Sequence, residues 1–236
     1  MKYEAILFDL DGTLIGLDIE RFLPAYMKEI QGWVARKMDP VPFMKRFEVA
    51  VGAMLDDDTP HLTNEQVFFE ALLPGLPQVT RDDCQEMFDA FYTEVFPGLA
   101  HHCNEVRDAR MVINRLRKAK CRLVLATNPV FPRPAVKQRL EWGALNPGDF
   151  EHITSYENSR YCKPRPGYYR DILNLLDLEA EDVLMVGNDR GEDLAAGELG
   201  IDTYLVDGYI IERPGVDLQP DYQGDMRDIL HVVGLD

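Results

Sequence analysis

Four short stretches of the chain hold residue types that could do phosphorus chemistry together. Asp9 and Asp11 follow the apolar run Ala5-Ile6-Leu7-Phe8 and stand beside Gly12 and Thr13. Thr127 and Asn128 follow a second run, Leu123-Val124-Leu125-Ala126. Lys163 sits between Cys162 and Pro164. Asn188, Asp189 and Asp193 follow a third run, Val183-Leu184-Met185-Val186-Gly187. Singly, such residues cap turns or face solvent. Jointly they offer what phosphoryl transfer requires. A carboxylate can attack phosphorus. A second acid can protonate the leaving oxygen and then act as base toward water. An ammonium, a hydroxyl and an oxygen-liganded Mg²⁺ can offset the crowded negative charge.

The elements around these residues predict where they meet. Short apolar runs without alternation fit strands buried on both faces, as in a parallel sheet. After residue 100 the pattern alternates. Helices are expected at Val106–Lys120, Val136–Trp142, Tyr168–Leu176 and Asp193–Leu199. Strands are expected at Arg122–Ala126, His152–Thr154, Asp182–Val186 and Asp202–Val206. Such alternation predicts an α/β fold: a Rossmann-like parallel sheet between two helical layers. Ligands in open sheets of this kind bind beyond the C-terminal ends of the strands, where the four stretches lie.

Residues 17–100 read differently. Apolar residues recur at spacings of three and four, as in Phe22, Tyr26, Ile30 and Trp33. About four helices are expected, with Thr63 and Thr80 as N-caps and Gln66 and Asp83 closing capping boxes. An all-helical cap over 17–100 is therefore predicted, inserted into a core of 1–16 and 101–236. Hinges are expected near Ile15–Leu17 and Pro97–Cys103.

Phe8-Asp9-Leu10-Asp11-Gly12-Thr13-Leu14 resembles the first signature of the haloacid dehalogenase superfamily. Leu125-Ala126-Thr127-Asn128, Cys162-Lys163-Pro164 and Met185-Val186-Gly187-Asn188-Asp189 through Asp193 are similar to its other three. The helical insertion after the first signature resembles the cap of the phosphoglycolate phosphatase and β-phosphoglucomutase type. The resemblance implies Asp9 as nucleophile and Asp11 as general acid and base. It implies that Thr127, Asn128, Lys163 and Gly12 surround the phosphate. Asp9, Asp11 (through its carbonyl), Asn188 and Asp193 would hold Mg²⁺. Asn188 departs from the family pattern, which carries Asp there. Asp189 is a weaker alternative ligand. Asp11 argues against dehalogenation, because the dehalogenating members lack this second acid. Implied is a phosphatase acting on a small phosphorylated metabolite. The alternatives are a phosphomutase or a binding protein weakened by Asn188. Arg21, Tyr26, Arg133 and Arg165 are candidate substrate contacts, and His101 and His102 are expected to be structural or exposed.

Bulk properties narrow the partners. The formal net charge is −16, so the chain lacks the cationic field that nucleic acid or an anionic membrane surface requires. No apolar run approaches the roughly 20 residues of a membrane helix. The N-terminus reads as leading straight into a strand, so no signal peptide is expected. Cys84, Cys103, Cys121 and Cys162 form no C-x-x-C pair and read as reduced thiols. A cytoplasmic monomer or homodimer is expected.

Overall fold

The computed structural model describes residues 1–235. Strands β1 (Ala5–Phe8), β4 (Arg122–Leu125), β5 (His152–Ile153), β6 (Val183–Gly187), β7 (Asp202–Val206) and β8 (Tyr222–Gly224) form one sheet in the order β5-β4-β1-β6-β7-β8. Every pairing in it is parallel. Side chains alternate across β1, and this alternation builds two cores. Ile6 and Phe8 face one layer, which includes Val112, Ile113 and Leu116 of α5 (Ala109–Lys118). Ala5 and Leu7 face the other, with Tyr168, Tyr169 and Ile172 of α7 (Pro166–Leu176). Burying side chains of this size stabilises the fold by about 1.5–3 kcal/mol each. The expected three-layer α/β/α architecture is present.

The chain leaves the sheet after β1 and enters four helices: α1 (Ile19–Val34), α2 (Pro40–Asp56), α3 (Asn64–Leu72) and α4 (Arg81–Glu94). Both capping boxes form, Thr63 with Gln66 and Thr80 with Asp83. Aromatic rings bind this insertion together and to the core. Tyr26 packs on Phe91, Phe96 and Phe131, and its hydroxyl meets that of Tyr92 at 2.8 Å.

Several expectations need correction. The first segment read as a hinge is strand β2 (Ile15–Leu17), which pairs antiparallel with β3 (Cys103–Glu105), a strand that starts where the second ends. Ahead of β3, residues Phe96–His102 form a 3-10 helix. The helix expected from Val106 begins at Ala109, because Asp108 takes a left-handed conformation at φ 65°. Residues 194–199 form a 3-10 helix instead of an α-helix. That stretch is short and carries Gly197, with Gly200 left-handed at its end. The last helix is α8 (Ile229–Val232), and β8 was not foreseen. No helix among the described residues is long and apolar enough to cross a membrane.

Candidate active site

The sheet order puts the chemistry-bearing segments side by side. β1 lies between β4 and β6, with Phe8 in register with both Leu125 and Val186. Asp9, Thr127 and Asn188 therefore leave three adjacent strand ends. Asp9, Asp11, Thr127, Asn128, Asn188, Asp189 and Asp193 all line one cavity of about 200 Å³. Its outer wall comes from the insertion and two loops: Ile19 and Leu23 of α1, Val130 and Phe131, and Ile211 with Arg213.

Lys163 is fully buried and binds two carboxylates at once. Its Nζ donates to Asp9 Oδ1 at 2.9 Å and to Asp193 Oδ1 at 2.6 Å. Burial pushes the Asp9 carboxyl above its ordinary range, and the charges of Asp193 and Asp11 add to this, against the pull of Lys163. The ammonium stays charged because its two acids outweigh the burial that would neutralise it. Lys163 is not among the residues lining the cavity; it lies behind them, between Asp9 and Asp193.

Asp193 spends its other oxygen on the backbone. Oδ2 accepts the N–H groups of Asn188 and Asp189, each at 2.9 Å. This closes the loop after β6, and a Cβ on Gly187 would lie 2.1 Å from that same oxygen. Gly12 is constrained in two ways. Its φ is +84°, and a Cβ there would meet Asn188 Nδ2 at 2.3 Å. Thr127 is held by its carbonyl, which accepts from Thr154 Oγ1 at 2.8 Å and the Tyr168 hydroxyl at 2.9 Å. Asn128 donates to Glu192 at 3.0 Å.

The Mg²⁺ donors foreseen from the sequence are oxygens, with no imidazole or thiolate on the cavity wall. That chemistry suits a hard cation. Among the described residues no three His, Cys, Asp or Glu side chains are arranged as a metal cluster. Asn188 Oδ1 accepts from Thr13 Oγ1 at 3.1 Å, which leaves it one lone pair. Asp193 has both oxygens engaged. Asp189 is tied to Arg213, whose Nε lies 2.8 Å from Oδ2, and it caps Gly191 and Glu192. Few of these side-chain oxygens are thus left for a cation.

Of the candidate substrate contacts, none lines this cavity. Arg21 is exposed and pairs with Asp18. Tyr26 is buried in aromatic packing. The Arg133 N–H donates to Glu157. Arg165 donates to the carbonyls of Leu55 and Asp56. His101 is exposed and its Nδ1 meets the Gly98 carbonyl at 2.7 Å.

Sequence reasoning missed Arg139. It lies on α6 (Arg133–Trp142), is fully buried and ion-pairs with Asp11 Oδ2. The signal was available: Ala135, Val136, Arg139 and Leu140 share the buried stripe of this helix, so a cation falls on an apolar face. Arg213 and Glu192 were missed because the loop bearing Arg213 carries no periodic pattern.

A family model of haloacid dehalogenase-like hydrolases matches residues 3–200. The chain is 23% identical to "Pyrophosphatase PpaX" of Bacillus cereus, over 99% of this chain and 97% of that one. A predicted phosphoglycolate phosphatase from Haemophilus somnus has the same fold at a TM-score of 0.60 and 19% identity, covering 98% of each chain. An L-2-haloacid dehalogenase from Xanthobacter autotrophicus matches at 0.56 and 16%, again over 98% of each. The shared fold thus spans phosphate and halide chemistry alike. With the model covering most of its length and its signature residues gathered at one sheet edge, the chain belongs to the haloacid dehalogenase-like hydrolases.

Proposed function

We propose that this protein is a Mg²⁺-dependent phosphatase that hydrolyses a small phosphate monoester through an aspartyl-phosphate on Asp9. The observation that carries the reading is the bridging of Asp9 and Asp193 by Lys163, with Thr127 on the neighbouring strand end and Asp11 two residues away. Asp9 is thereby fixed and its charge partly offset. In the first step a carboxylate oxygen of Asp9 bonds to phosphorus, and the bond to the leaving oxygen breaks. Asp11 gives that oxygen a proton. In the second step Asp11, now ionised, takes a proton from water as the water attacks the phosphoryl group. Inorganic phosphate leaves and Asp9 is restored. Such acid–base help contributes about 10²–10⁴-fold. When bound, Mg²⁺ would supply positive charge against the phosphoryl oxygens, held by Asp9, the Asp11 carbonyl, the remaining lone pair of Asn188 and, through water, Asp193.

The cavity also favours a type of leaving group. Five carboxylates line it, and the one lining guanidinium, Arg213, already serves Asp189 and Glu192. Ile19, Leu23, Phe131 and Ile211 are apolar. A compact, neutral alcohol suits these walls better than a second phosphate, even though a relative is named a pyrophosphatase. The test is hydrolysis of p-nitrophenyl phosphate by the purified chain. Activity is expected with Mg²⁺, lost in EDTA and abolished by Asp9→Asn. Activity that survives Asp9→Asn would exclude the covalent route.

A further inference from the structure

We propose that Arg139 is the positioning residue for the acid–base carboxylate of Asp11, an inference that rests on the role given to Asp11 above. Arg139 is fully buried, and its Nη1 donates to Asp11 Oδ2. Its guanidinium carbon stands 4.4 Å from the centre of the Phe131 ring. Its Nε and Nη2 are buried and without a hydrogen-bond partner among the described residues.

A guanidinium stripped of water and given one anionic partner is expensive for a fold. Packed apolar side chains would hold α6 in place as well or better. The location argues for a role at the site. Asp11 lines the cavity, and the other face of the guanidinium rests on Phe131, which lines it too. One oxygen of Asp11 is anchored by the arginine. The other, Oδ1, is buried and has no partner among the described residues, so Arg139 is what fixes the carboxylate's orientation. The anchor is itself firmly set. Helix α6 packs on the β2–β3 ribbon, and at its C-terminal end a Cβ on Gly143 would come within 2.4 Å of Ile15 Cγ2. The orientation of Asp11 is thus tied to the ribbon through which the chain enters and leaves the insertion.

The test compares phenyl phosphate with p-nitrophenyl phosphate, substrates of nearly the same shape. Phenolate is the more basic leaving group and gains more from protonation. We expect Arg139→Met to lower kcat/KM for phenyl phosphate at least about tenfold more than for p-nitrophenyl phosphate. Arg139→Lys keeps a cation and should recover most of that difference. Asp11→Asn should reproduce the pattern, and the double variant should lose no more than Asp11→Asn alone. The ratio between substrates does not depend on how much of a variant is folded. Equal losses on both substrates in Arg139→Met, or in Arg139→Gln if the Met variant is insoluble, would overturn the proposal. If Asp11→Asn shows the split and the Arg139 variants do not, the positioning role alone falls. If the wild type hydrolyses neither ester, the phosphatase reading falls and takes this proposal with it.

Discussion

Asn188 Nδ2 donates to the carbonyl of Tyr209 at 2.6 Å, so the position where the family pattern has an acid ties the loop after β6 to the loop after β7. Asn188→Asp would set a carboxylate against that carbonyl. It should cost about 1–3 kcal/mol in the absence of metal, the range for leaving a buried polar group unsatisfied. The new charge should also bind Mg²⁺ more tightly. Thermal melts check both effects: the variant should melt lower than wild type in EDTA and gain more Tm on adding Mg²⁺.

Arg139 and Asp11 should be coupled in stability as well as in catalysis. Asp11→Ala leaves a buried guanidinium unpaired, a change that costs about 3–5 kcal/mol. Arg139→Met removes that charge, so the double variant should regain much of the loss. Denaturant unfolding of the two single variants and the double variant closes the cycle. Additive losses would mean that the pair does not act as a unit.

Gly12→Ala should be severe. The residue sits at φ +84°, where an L side chain costs about 1–2 kcal/mol, and its Cβ would lie 2.3 Å from Asn188 Nδ2. Melting temperature should fall, and p-nitrophenyl phosphate turnover should fall further, because the displaced Asn188 lines the same cavity as Asp9. A fully active, fully stable variant would contradict the close approach.

Leu23 stands 41% exposed on α1 and lines the cavity. Leu23→Arg adds a cation where the walls have no uncommitted one among the described residues. Selectivity should shift toward substrates with a second anionic group, including pyrophosphate, by about tenfold in kcat/KM for one added charge pair. A panel of neutral and anionic phosphate esters reads the shift.

Much of this arrangement was legible in the residues. Strand ends are marked by apolar runs that stop at polar residues, which is why Asp9, Thr127 and Asn188 can be aligned from the residues alone. Helices α1 to α4 follow from apolar spacing, and the two capping boxes from Thr63 and Thr80. The β2–β3 ribbon was not legible. Each strand has three residues, and the pairing joins segments far apart in the chain, so no local pattern encodes it. Tyr222-Gln223-Gly224 pairs at the sheet edge through its backbone, with little side-chain burial to announce it. Arg139 escaped because a cation in a helix normally reads as a solvated residue. Only its place on the apolar stripe betrays it. Lys163 was found through its neighbours in the signature, yet its second partner, Asp193, emerges only once β1 and β6 are side by side.

The insertion is fastened to the core at two separate places. One is the β2–β3 ribbon. Across from it, Asn64 donates to the Pro129 carbonyl at 3.0 Å, Arg160 to that of Pro60 at 2.7 Å, and Arg165 to that of Asp56 at 2.7 Å. At about 1 kcal/mol net for each such bond, swinging the insertion away as one body would leave only a small open population. On the phosphatase reading the clasp would act as a sieve: esters slim enough to pass Leu23 are the expected substrates, and a phosphate carried on a folded protein is expected to be refused.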